Sequence, residues 1–404
     1  MKRIALLCLG LAFGAVTAAQ AQLTMQMSNG WSFTFAGNVN AFFVYENPSD
    51  NSSPPSNAIG GILPAGGSGS SNIRTGLLPA FAVFEAKGKE GETDLLVHFG
   101  FAPQIQCGTT NSVNSQNHDC FGAQIDMRQV FLTVGGTWGQ ILAGRELGLY
   151  GRQNILTDQT LFGVGATGGN TGQGTTLGRI GFGYIYPQFK AQMTYSSPAG
   201  RPTQISIGLF QPATNPPYNQ VETPRVEAEF VYSQSNVKAW LGGLAQNNKT
   251  GGTSSNSATS WGGSGGIRYG TSTFSVTGSG YYGRGLGTTL LFLDGTDGTS
   301  GSGSDGLRKS YGFIGQITVT PPNSKVTLAG DFGSSYLQSS NNEDAASASF
   351  KTENTLISGG IYYQATKSLK VVAEGNYAWT KEHEESGVDK NKSFAPAFGL
   401  MLFF

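Results

Sequence analysis

The sequence predicts an all-β protein: a closed transmembrane antiparallel β-barrel, with sixteen strands. Apolar and polar residues alternate over successive runs of about eight to twelve, the period of a strand with two unlike faces. Aromatic residues gather at the ends of many runs, and the connections between runs are short and long in turn. Composition agrees. The 404 residues include 60 Gly and only 12% charged side chains, about half the share of an ordinary soluble domain.

The first element is a targeting segment. Lys2 and Arg3 precede an apolar stretch from Ile4 to Val16, and Ala19-Gln20-Ala21 supplies small residues of the kind a signal peptidase cuts after. Residues 1–21 read as a cleaved signal peptide and 22–404 as the barrel domain. The apolar stretch is shorter than the ~20 residues that cross a bilayer as a helix. Cys8 lies inside it without the small residue that precedes a lipidated cysteine, so a lipoprotein is not expected.

Cleavage leaves 23 basic and 25 acidic side chains, a net charge of −2. Such a balance offers no basic face to displace counterions from phosphates, which excludes nucleic acid as a partner. Cys107 and Cys120 bracket a polar stretch and, in an exported protein, are expected to form a disulfide. A closed loop of this length contributes ~3 kcal/mol against disorder.

The strand faces can be read directly. Trp31, Phe33, Phe35, Val39, Ala41, Phe43 and Tyr45 form one face of the first run, opposite Ser32, Thr34, Asn38 and Asn40. Over 224–233, Val226, Ala228, Phe230 and Tyr232 oppose Arg225, Glu227 and Glu229. Leu369, Val371, Ala373, Tyr377 and Trp379 oppose Lys370, Glu374 and Asn376, and the chain ends on Phe394, Phe398, Leu400, Leu402 and Phe404.

Short turns are expected near 88–92, 135–139, 234–236, 270–272, 321–324 and 365–368. Long loops are expected near 46–73, 107–122, 211–223, 247–260, 283–307, 337–349 and 380–392. Closure follows from the solvent, because in lipid an open edge would leave strand N–H and C=O groups unpaired. The runs number about 17, and an even count is needed to bring both termini to one side. Joining 179–186 to 189–196 across Pro187 gives sixteen. Making Leu23–Ser28 a separate strand before an Asn29-Gly30 hairpin gives eighteen.

These residues resemble the general diffusion porins of Gram-negative outer membranes. The run from Arg128 to Gly136, followed by Gly139 to Arg145, resembles the strand pair leading into that family's third external loop. Met193-Thr194-Tyr195-Ser196-Ser197-Pro198 is similar to the strand after it. Phe398, Leu400, Leu402 and Phe404 resemble the C-terminal signal read by the barrel-assembly machinery. The resemblance implies a homotrimer in the outer membrane, among lipid and lipopolysaccharide, carrying small hydrophilic solutes. It also implies that the loop over about 147–177 folds inward to narrow the pore. Asp158 is that loop's only acid, so a constriction rich in carboxylates is not expected.

By resemblance and position, Arg74, Arg128, Arg145 and Arg179 fall on the second, fourth, fifth and sixth strands as a basic wall. Asp158, with Glu146 at the loop's root, stands opposite. Four arginines against these acids predict a weak preference for anions.

Catalysis is not expected. His98, His118 and His383 are the only neutral-pH bases; the latter two lie in predicted loops, and His98 has lumen parity. His118-Asp119-Cys120 loses its thiolate to the disulfide, so no metal or other cofactor is expected. Gly60-Gly61, Gly168-Gly169 and Gly262-Gly263 are followed by no helix that would make them phosphate loops. The competing functions are a substrate-specific channel, an exported β-rich adhesin and an outer-membrane hydrolase.

Overall fold

The computed structural model describes residues 23–28, 30–48, 69–106, 125–169, 174–214, 218–220, 222–250, 256–298, 303–384 and 387–404. The signal peptide over 1–21 and the Cys107–Cys120 disulfide lie outside the described residues.

Among the described residues nineteen strands run in chain order. They are β1 (Leu23–Gln26), β2 (Ser32–Pro48), β3 (Ser70–Arg74), β4 (Phe81–Glu90), β5 (Thr93–Pro103), β6 (Ile125–Gly136) and β7 (Gly139–Leu147). Next come β8 (Phe189–Ser196), β9 (Thr203–Phe210), β10 (Tyr218–Gln220), β11 (Arg225–Gln234), β12 (Val237–Thr250), β13 (Ser257–Gly270) and β14 (Phe274–Arg284). The last are β15 (Lys309–Val319), β16 (Val326–Gln338), β17 (Phe350–Gln364), β18 (Leu369–Glu384) and β19 (Gly387–Phe403).

Sixteen of these, β2, β4 to β9 and β11 to β19, pair antiparallel with their neighbours. β19 returns to pair with β2, which closes the barrel. The three short strands extend this wall. β3 and β4 pair with successive parts of β2, and β10 pairs with the far end of β12. β1 forms a hairpin with the start of β2, with Leu23 opposite Phe35, and continues the line of β19. The predicted separate N-terminal strand therefore exists without raising the count to eighteen.

The β3–β4 break has a clear origin. Residues 75–80 leave the wall and enter the lumen, where strand partners are missing. Inward-facing amides of β2 replace them: Asn38 Nδ2 donates to Pro79 O (3.2 Å), Asn40 Nδ2 donates to Leu78 O (2.9 Å), and Gly76 N donates to Asn40 Oδ1 (2.9 Å). The backbone polar groups of a buried irregular segment are satisfied in this way.

The outward face is apolar, as alternation predicts. Val39, Phe43, Phe84, Met193, Ile207, Leu241, Phe313 and Phe398 are exposed on it. On the loop side an aromatic row crosses four strands. Trp261 lies 5.9 Å from Tyr282, Tyr282 lies 6.5 Å from Tyr311, and Tyr311 lies 4.8 Å from Tyr336. On the turn side Tyr269 meets Phe274 at 5.9 Å and Trp138 meets Tyr195 at 6.3 Å. Such belts sit where a barrel wall passes from hydrocarbon to headgroups.

Three expectations are corrected. Residues 179–186 form no barrel strand; they belong to a loop over 148–188 folded into the lumen. Their alternation buries Ile180, Phe182 and Tyr184 inside the barrel, while Gly181 and Gly183 take φ of +82° and +144°, which an extended strand does not use. Second, 380–392 is a strand hairpin rather than a long loop, with Glu384 opposite Gly387. Beyond the bilayer the outward face need not be apolar, so the pattern that marks a strand fades there. β12 and β13 extend for the same reason, to Lys249 opposite Ser257. Third, residues 286–292 turn inward, burying Leu286, Leu291 and Phe292 against Tyr150 and Ile185.

Candidate functional site

The loop over 148–188 crosses the lumen bound to one half of the wall. Leaving β7, it donates Tyr150 N to Glu227 Oε2 (2.9 Å), and Arg152 pairs with Glu229 (2.6 Å). A short helix, α1 (Arg152–Thr157), follows Gly151, whose φ of +78° turns the chain. Trp240 Nε1 donates to Asn154 Oδ1 (2.8 Å), and Gln159 N donates to Gln316 Oε1 (2.7 Å). The loop thus passes from β11 over β12 to β15.

Beyond this point Arg179 pairs with Asp331 of β16 and donates to Leu356 O of β17 (2.8 Å). Val164 N and Gly165 N donate to Glu374 Oε2 of β18 at 2.8 and 3.0 Å. Thr167 Oγ1 donates to Glu46 of β2 (2.8 Å), and Arg74 of β3 donates to Thr167 O (3.0 Å) and Thr175 O (3.1 Å). Buried polar groups of wall and loop satisfy one another along this course.

Against the other half of the wall lies a cavity of about 390 Å³, a candidate passage lined along β4 to β9 from Ala199 and Gln204 near a turn to Thr175, Thr289 and Leu290 of the inward loops. One side carries Gln129, Gln140, Gln192, Gln204, Thr194 and Ser196. The other is apolar, with Leu78, Phe81 and Val83 beside Leu156, Leu161 and Ile180 of the long loop.

The four expected arginines do not converge on this passage. Arg128 lines it, held by Asp126 (2.8 Å) and set over the Phe189 ring at 5.8 Å. Arg74 is buried under loop carbonyls, and Arg179 sits on the loop rather than the sixth strand. Arg145 is exposed on the outward register, opposite Val130 and Ala191, so its expected lumen position is corrected. A shift at Gly100 and Gly144's φ of +137° disturb alternation beside this stretch, which hides its parity in the sequence.

The acids also depart from expectation. Asp158 is buried within the loop, accepting from Thr160 N (2.8 Å), Tyr184 Oη (2.6 Å) and Arg179 N (3.2 Å). Burial pushes its carboxyl above the usual range, while the Tyr184 and Thr160 hydrogen bonds and the Arg179 charge oppose that shift. It organises the loop and faces no pore. Glu146 does line the passage, accepting from Gln129 Nε2 (2.7 Å) and Leu147 N (2.8 Å).

Glu227, Glu229 and Glu374, on the polar faces read from the sequence, are together with Asp331 the loop's anchors. Their inward parity was visible, but not the loop that would reach them. His98, given lumen parity by the sequence, is buried with Nδ1 3.2 Å from Glu85 and its ring stacked 4.5 Å from Phe131. His383 is exposed at the end of β18, and His118 lies outside the described residues. Among the described residues no three His, Cys, Asp or Glu side chains group to hold a metal ion.

No protein-family model matches the chain, and no curated protein matches it in sequence. Solved structures do. The outer membrane channel DcaP of Acinetobacter baumannii aligns with a TM-score of 0.66 at 13% identity, over 94% of this chain and 99% of that one. An anion-selective porin from Comamonas acidovorans aligns at 0.60 and 12% identity, over 93% and 100%. OmpF of Salmonella typhi, in complex with daunomycin, aligns at 0.56 and 12%, over 95% and 100%. The likeness covers the barrel from end to end and shows the fold: this chain shares with these channels a closed sixteen-stranded antiparallel barrel.

Proposed function

We propose that the protein is an outer-membrane channel for passive diffusion of ions and small hydrophilic solutes. The observation that carries this reading is the passage of about 390 Å³ along β4 to β9, left open by a loop tied to the opposite wall. A diffusion channel requires a lumen of limited width and asks no bond-making of its walls. Residues 148–188 set that width sterically. Arg128 and Glu146, the expected constriction residues that reach the passage, supply opposite charges and so a weak field.

The same reading takes residues 1–21 as a signal peptide and Phe398, Leu400, Leu402 and Phe404 as the mark read by the barrel-assembly machinery. It takes Cys107–Cys120 as a staple in an external loop, and a homotrimer packed through outward apolar faces. Lipopolysaccharide phosphates suit the outer rim, where Arg284, Lys309, Gln338 and Lys351 stand in one register row with Lys351 Nζ 4.8 Å over the Tyr336 ring. A hydrolase is disfavoured by His98, whose ring is held between Glu85 and Phe131.

The test is single-channel conductance in a planar bilayer, with salt gradients and neutral sugars of rising size. Ohmic steps with weak ion preference and size-limited sugar flux support the reading; no conductance from folded protein would overturn it. A second reading, a channel with a solute site, is favoured by the apolar share of the passage lining, which a purely aqueous pore does not need.

A further inference from the structure

We infer that the passage holds a site for uncharged amphipathic solutes, molecules joining an apolar ring to a hydroxyl-bearing part; this rests on the channel reading above. The two sides of the passage differ in chemistry. Phe81 and Val83 of β4 meet Leu156, Leu161 and Ile180 of the long loop to make a continuous apolar shelf. On the other side stand the amides of Gln140 and Gln204, with Thr194 hydrogen-bonded to Gln192 and Gln192 to the β7 backbone.

Water against the shelf gains little and is released when an apolar ring covers it. A solute carrying hydroxyls on every side would desolvate some of them against that shelf with no partner. One with a ring on one side and hydroxyls on the other satisfies both walls at once. The volume of about 390 Å³ lies within the range of small-molecule sites, ~300–1,000 Å³.

The charges in the lining argue against an anionic solute. Arg128 is paired with Asp126, Arg152 with Glu229, and His98 lies against Glu85. Glu146 accepts two hydrogen bonds from the protein itself. The cationic groups facing the passage are thus paired with acids before a solute arrives, and an anionic solute would find no free counter-ion there to offset its desolvation. Selection falls to shape and to the division between apolar and hydrogen-bonding walls.

Phenyl β-glucoside and methyl β-glucoside test this as a matched pair, since they share one sugar and differ in the ring. Single channels of the full protein are recorded while each is added. Phenyl glucoside is expected to interrupt the ion current at roughly tenfold lower concentration, the discrimination an apolar pocket gives for a modest hydrocarbon difference. Leu156→Gln, on the loop side of the shelf, is expected to erase the difference while conductance persists. Leu290→Gln, on the second inward loop, repeats the test should the first variant not fold.

Equal block by the two glucosides, or none by either, in a conducting channel overturns the amphipathic site and leaves the channel reading standing. A preference that survives both substitutions also overturns it, because the shelf would then not be its source. A folded protein without conductance removes the channel reading and this inference together.

Discussion

Gly163 lies directly beneath Glu374, so close that a Cβ built on it would overlap the carboxylate. That carboxylate accepts from the N–H groups of the next two loop residues, Val164 and Gly165. The absent side chain therefore lets a strand acid on β18 hold the loop's backbone. Gly163→Ala is expected to force Glu374 aside and weaken loop docking by up to about 3–6 kcal/mol, the worth of two hydrogen bonds to a charged acceptor. Heat-resistant migration of the folded barrel should persist, while single-channel records become larger and noisier. Conductance unchanged from the parent would show that this contact does not set the opening.

Arg179 and Asp331 form a second tether, buried on both sides. Removing the carboxylate leaves a guanidinium buried without its counter-charge, which costs about 3–5 kcal/mol. Asp331→Ala should therefore expose the loop to protease cleavage in folded protein. The double variant Asp331→Ala with Arg179→Met should recover much of the protection, since replacing both charges avoids the unpaired one. Equal sensitivity of the single and double variants would contradict the pairing.

Arg128 and Arg145 separate by face. Arg128 lines the passage, and Arg145 stands on the outward register with Val130 and Ala191. Arg128→Gln should move the reversal potential in a salt gradient toward cations, since Asp126 is left without its counter-charge. Arg145→Gln should leave it where it was. The reverse pattern would place Arg145 in the pore after all.

These cases show what the sequence makes legible. The faces of β2, β11 and β18 could be assigned residue by residue, because hydrocarbon outside and water inside impose a two-residue period on every spanning strand. The count of sixteen was also readable, although its route through 179–186 was wrong. Ile180, Phe182 and Tyr184 alternate because the loop packs them inside the barrel, and alternation alone does not say which surface does the burying. The hairpin near 380–392 lacked the pattern because it stands beyond the bilayer. The candidate site was the least legible part: Arg74, Glu227 and Glu374 all face inward, but whether such a residue meets water or a loop depends on contacts between residues 77 to 210 positions apart. The apolar run Leu290-Leu291-Phe292-Leu293 in a Gly-rich stretch was a signal for the second inward loop.

At the end of the chain, Phe404 N donates to Gly37 O (3.0 Å), Gly37 N donates to Phe404 O (2.8 Å), and the Phe404 ring lies 5.2 Å from Phe35. The last residue thus fastens the closing seam. Deleting Phe404 removes two hydrogen bonds, worth about 1–3 kcal/mol together. A lower yield of folded protein in membranes is expected, with refolding in detergent still possible. An undiminished membrane yield would remove its role as an assembly mark.

The central claim is that solutes and ions pass along β4 to β9, beside the docked loop. Thr194 of β8 lines that passage. Single-channel current through Thr194→Cys, recorded before and after a charged thiol-specific reagent and set against the parent chain, tests the claim most directly. A stepwise fall in current confined to the variant is the predicted result. A current indifferent to modification at this position would contradict the account.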